Sequence, residues 1–82
     1  MKKQKTYNFK IDTHTVSITK YYNYYADRYT LDIYLDYNNN ELSDYIVYDY
    51  NQDKLLFTSY VITNRQKKML LDKIHKILND KI

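Results

Sequence analysis

No cysteine, proline, glycine or tryptophan occurs in this chain of 82 residues. Without Cys there is no disulfide, no thiolate zinc site, no Cys nucleophile and no thiol redox chemistry. Without Gly there is no phosphate-cradling loop of the Walker or dinucleotide type. Turns must then be made by Asn, Asp, Ser and Thr. No apolar run approaches the roughly 20 residues of a membrane span. The opening Met1-Lys2-Lys3-Gln4-Lys5 leads into strand-like alternation rather than a signal peptide. The expectation is a cytoplasmic protein, in the host cytoplasm if a phage encodes it, with no membrane partner.

The length suits a single domain over 1–82. A domain this small buries only roughly 60% of the surface its unfolded chain exposes, so its core is marginal. Tyr occurs 12 times against two Phe. A buried phenol needs a hydrogen-bond partner, so several tyrosines must lie on the surface.

Residues 1–5 read as a basic flexible tail and 6–62 as sheet. From Thr6 to Asp12, Tyr7, Phe9 and Ile11 alternate with polar residues, which is strand period two. Thr15 to Tyr22 alternates again. A tight loop at Thr13-His14 would set Ile11 opposite Val16 and Phe9 opposite Ile18. Tyr22 to Asp27 reads equally as loop or bulged strand. Arg28 to Tyr37 is the clearest strand, with Tyr29, Leu31, Ile33, Leu35 and Tyr37 on one side. After a turn at Asn38-Asn39-Asn40, Asp44 to Tyr50 is a fourth strand whose facing is undecided. Leu55 to Ile62 is a fifth, apolar on both faces at its start and so expected to be central or covered.

Thr63 and Gln66 fit a capping box, opening a helix over 63–81. Leu70, Leu71, Ile74, Ile77 and Leu78 form its apolar stripe, against Lys68, Asp72, His75, Lys76 and Asn79. The expected fold is α+β: a meander-like antiparallel sheet of four to five strands with one C-terminal helix on one face. The other sheet face is then open.

Charge is segregated along the chain. Residues 1–30 carry six Lys/Arg and two acids, and residues 54–82 carry seven and two. Residues 31–53 carry six acids and no base, with Tyr34, Tyr37, Tyr45, Tyr48 and Tyr50 interleaved. A negative, aromatic-studded hairpin suits docking on a basic partner. Asp32, Tyr34, Asp36, Tyr37, Asp44, Tyr45, Tyr48 and Asp49 are its candidate contacts. The plain alternative is that these acids keep an edge hairpin soluble or face the basic helix of their own domain.

Lys20, Tyr21, Tyr22, Tyr24, Tyr25 and Arg28 interleave aromatic and basic side chains, and Arg65, Lys67 and Lys68 open the helix, where its dipole disfavours cations. Together they are candidates for stacking on and neutralising single-stranded nucleic acid. Cross-strand aromatic pairing is the structural alternative. His14 in a turn and His75 on the helix read as surface histidines. Asp32, Asp36 and Asp44 are the only acids to nominate for metal-assisted hydrolysis. No catalytic residue, metal ligand or cofactor is assigned, and an enzyme is not expected.

In size, lack of catalytic motifs and an AT-rich style heavy in Asn, Lys, Ile, Tyr and Asp, the chain resembles small phage and mobile-element accessory proteins, anti-CRISPR proteins among them. That resemblance implies a non-enzymatic inhibitor. Its partner would be a basic nucleic-acid-binding host protein or a nucleoprotein. A single-stranded DNA or RNA binder and a homodimer are the alternatives.

Overall fold

The computed structural model describes residues 4–36, 44–57 and 62–80, without the side chains of Asp44 and Phe57. It contains β1 (Gln4–Ile11), β2 (His14–Asn23), β3 (Arg28–Leu35), β4 (Asp44–Asp49), β5 (Lys54–Phe57) and α1 (Asn64–Asn79). The strands form one antiparallel sheet in the order β1-β2-β3-β4-β5, so each pairs with its neighbour in sequence. The fold is α+β, with the helix laid on one sheet face.

Turns explain how a chain without glycine builds this meander. Asp12, Asp27, Asp36 and Asp53 all have φ of 53–55°. Asp is among the few residues that enter the left-handed region at modest cost, because its short side chain bonds locally. Each of these four side chains also finds a partner. Asp12 accepts from Arg65 and Gln66, and Asp27 from the Tyr22 hydroxyl. Asp36 meets His14 and the Thr15 N–H, and Asp53 takes the Tyr48 hydroxyl and His75. Asn23 and Asp49 add further turns, each accepting from two backbone N–H groups just downstream.

The helix side of the sheet is aliphatic. Ile11, Val16, Ile18, Leu31, Ile33, Leu35, Ile46 and Leu55 are buried against Leu70, Ile74 and Ile77. The capping box forms as expected: Thr63 Oγ1 accepts from the Gln66 N–H at 3.1 Å, and Gln66 Oε1 accepts from the Thr63 N–H at 3.0 Å. In β4 the undecided facing resolves with Ile46 and Tyr48 inward and Tyr45 and Val47 outward.

Three expectations are corrected. Gln4 and Lys5 belong to β1 rather than to a tail, because Gln4 pairs with Tyr21 and Lys5 with Lys20. In the first hairpin the turn is at Asp12-Thr13, so Ile11 pairs with His14 and Phe9 with Val16. The slip is two residues, which keeps every side chain on its expected face and changes only its neighbour. Finally, among the described residues β5 is an edge strand, and Leu56 on the face away from the helix is 46% exposed. Two-sided apolarity in β5 therefore marks one covered face and one bare one.

Candidate functional site: the open sheet face

The sheet face opposite α1 has two halves. Over β1 and β2, and reaching Asp32 and Tyr34 of β3, it is a shallow trough of about 870 Å³ lined by side chains such as Thr6, Asn8, Lys10 and Thr19. Thr6 and Thr19 lie opposite one another with their hydroxyls 2.9 Å apart. Over β3 to β5 the face turns aromatic and apolar. Tyr34 pairs with Tyr45, their rings 5.2 Å apart and edge-on. Val47 pairs with Leu56, and Tyr45, Val47 and Leu56 are all at least 40% exposed.

Asp32 sits where the halves meet, opposite Thr19. Its Oδ1 accepts from the hydroxyls of Tyr21 at 3.4 Å and Tyr45 at 3.2 Å. Among the described residues no Lys, Arg or His lies in ion-pair range of it. Desolvation, and then the charge and hydrogen bond of Asp32, push the Tyr45 phenol up to about 12. The arrangement is a carboxylate ringed by phenols beside exposed apolar surface. It accepts hydrogen bonds and offers ring faces to a cation. Among the described residues no group of three His, Asp or Glu side chains converges to hold a metal ion.

Other members of the acidic hairpin are not displayed this way. Tyr48 lies on the helix side, 9% exposed, and its hydroxyl donates to Asp53 at 2.6 Å. Burial and then that bond push its phenol up to about 12. Asp49 closes the β4–β5 turn. Asp36 is held by His14 and the Thr15 N–H, both at 3.3 Å. His14 is therefore half-buried against a carboxylate rather than a surface residue of a turn. Tyr37 and the Asp44 side chain lie outside the described residues. Much of the acidity of residues 31–53 is thus turn chemistry in a chain without glycine.

The basic and aromatic residues nominated for nucleic acid do not assemble. Lys20 is 4% exposed, on the helix side of β2. Its ammonium donates to the carbonyls of Ile77 at 3.0 Å, Leu78 at 3.2 Å and Asp80 at 2.6 Å. The Ile77 carbonyl also accepts from the Asp80 N–H at 3.2 Å, while the Leu78 carbonyl is among those left without an intrahelical donor at the helix end, and a cation there also complements the dipole. Arg65 opens the other end of the helix, where it pairs with Asp12. Sixteen residues of helix put the two ends about 24 Å apart. Lys67 and Lys68 stay with Arg65 at that far end. Tyr22 packs edge-on to both Tyr24 and Tyr29, and its hydroxyl is tied to Asp27. Arg28 lies over the Tyr50 ring at 4.9 Å. Tyr25 is fully exposed in the β2–β3 turn. Tyr21, on the open face, belongs with Asp32 instead.

Comparison of the chain with family models, with curated proteins and with solved structures finds no match. Among the described residues no helix is long and apolar enough to cross a membrane.

Sequence reasoning passed over Val47 and Leu56. Their signal was the parity of the β4–β5 hairpin: with Ile46 and Leu55 inward, their neighbours must point out.

Proposed function

We propose that this chain is a non-catalytic protein-binding domain that uses the aromatic half of its open sheet face, centred on Asp32. The observation that supports it is a carboxylate without a cation partner among the described residues, flanked by Tyr34, Tyr45, Val47 and Leu56 on the sheet face opposite α1. An Arg or Lys projecting from a partner would bond Asp32 and lie on a tyrosine ring, and the apolar residues would bury against the surrounding surface. The fitting partner is therefore a basic protein surface, as nucleic-acid-handling proteins present. The narrower form is an inhibitor encoded by a phage or mobile element that occupies such a surface. It rests on the resemblance in size and style and on the sign of the charge.

Reversal of Asp32 alone is the appropriate test, because Asp36 holds the end of β3 to His14 and Thr15. Wild-type protein and Asp32→Lys are immobilised and exposed to lysate of the native host, and bound proteins are identified by mass spectrometry. A basic nucleic-acid-handling protein held by the wild type and released by Asp32→Lys, at matched unfolding midpoints, is the expected result. Equal capture by both would remove Asp32 from the site. Binding of wild type to a single-stranded oligonucleotide at low salt, with no protein captured, would move the reading to nucleic acid.

A further inference from the structure

A second surface lies on the opposite side of the molecule, along the outer edge of β1. As the first strand of the sheet, β1 is paired to β2 on one side, and over its eight residues no strand pairs with its other side among the described residues. Beside that edge, on the helix side, runs a groove of about 410 Å³ between β1 and the C-terminal half of α1. Phe9 and Ile77 supply apolar lining, and Lys73 and Lys76 line it from the helix. The Lys73 ammonium lies 5.3 Å from the Phe9 ring centre. Asp80 is the acid that lines this groove, and it is already engaged. It accepts from the Tyr7 hydroxyl at 2.6 Å and from Lys5 at 3.3 Å.

An unpaired strand edge with a side-chain groove next to it can take an added strand. Main-chain hydrogen bonds supply affinity there, and pockets for alternate side chains supply selectivity. The local charge decides between occupants. A second copy adding β1 to β1 about a two-fold axis normal to the sheet would bring two helices to the same side. Lys73 and Lys76 of each copy would then converge, and like charges brought together across an interface are costly. We infer that the β1 edge and its groove receive an extended acidic segment of another protein, which adds as a sixth strand, sets an apolar side chain on Phe9 and Ile77 and places Asp or Glu against Lys73 and Lys76. This surface is separate from the Asp32 face and does not depend on it.

The probe is a synthetic acetylated peptide alternating Glu with Leu and Phe, together with its Lys-for-Glu counterpart. Backbone amide NMR shifts of the full chain report where each binds. The acidic peptide is expected to bind saturably, with shifts concentrated on β1 and on Lys73 to Ile77, and to weaken as salt rises. The lysine peptide should not bind. Lys73→Glu should weaken the acidic peptide at least about tenfold, or about 1.4 kcal/mol, and Lys76→Gln should do so by less. Denaturation of each variant checks that it is folded. Unaltered affinity in Lys73→Glu, shifts lying off β1, or no binding at all would overturn the inference. So would concentration-dependent dimerisation through β1, which would assign the edge to a second copy. Preferential binding of an oligonucleotide in the same groove would overturn it as well.

Discussion

On the helix side of the sheet, Val16, Ile18, Ile33, Leu35 and Ile46 are at most 2% exposed and carry no polar side-chain atom. On the other side, Ser17, Thr19, Asp32, Tyr34 and Tyr45 alternate with them along the same strands and remain half-buried or exposed. The same backbone serves both sets, so the difference belongs to the side chains. Burial of aliphatic groups stabilises the covered face. The open face is held together by pairwise contacts between hydroxyls, phenols and a carboxylate, which contribute much less per pair. On the proposed function, the face that stabilises the fold and the face that would meet the Asp32 partner lie on opposite sides of one sheet. Substitutions should separate the two.

The largest effect should come from the covered face. Ile33→Ala empties a site with no exposure in the central strand and is expected to cost about 2–5 kcal/mol in chemical denaturation. If it costs no more than Tyr45→Ala does on the open face, the contrast between faces is wrong.

Next is Lys20→Met, which keeps the aliphatic stem and removes three charge-assisted bonds to the end of α1. A loss of about 1.5–3 kcal/mol is expected. Amide exchange should quicken most near the C-terminal end of α1. Uniform quickening along the helix would argue against a local cap.

Alkaline titration compares the two phenols that are raised furthest. Both Tyr48 and Tyr45 lie near 12 against an ordinary 10.0. A raised phenol means the fold prefers the neutral form. That contribution is complete below pH 10 and is lost as pH rises through 12. Asp12 and Asp53 lie below the ordinary 3.8 because of their hydrogen-bonded partners. Their contribution is present above that value and fades as pH falls through their lowered values. Unfolding midpoints across the pH range should therefore decline at both ends.

Thr30 is an exception on the open side. It is 8% exposed, and its hydroxyl has no hydrogen-bond partner among the described residues. Thr30→Val removes that buried hydroxyl and should raise stability by about 1 kcal/mol. A decrease would show that the hydroxyl has a partner.

The smallest change in stability is expected from Asp32→Asn, within about 0.5 kcal/mol as for other surface sites. Its readout is spectroscopic. The Tyr45 phenol should titrate at lower pH once the carboxylate charge is gone, while Tyr48, held by burial and Asp53, should not move. Equal shifts in both would mean that the two faces are electrostatically coupled.

Sequence by itself determined the elements and their amphipathic sides. Period-two alternation marked β1, β2 and β3, the Thr63–Gln66 pair marked the start of α1, and the missing glycine foretold turns built on Asn, Asp, Ser or Thr, of which Asp and Asn carry the described ones. Those signals are local, set by backbone geometry within a few residues, so they can be read along a line. The partners of each side chain were not legible in this way. Whether Lys20 met nucleic acid or the end of a helix 57 residues away, whether Asp36 and Asp49 faced a partner or closed a turn, and whether β5 lay inside the sheet or at its edge were decided by tertiary packing. Alternation tells which side a residue takes but not what lies across from it, and a charge is defined by its nearest counter-charge in space.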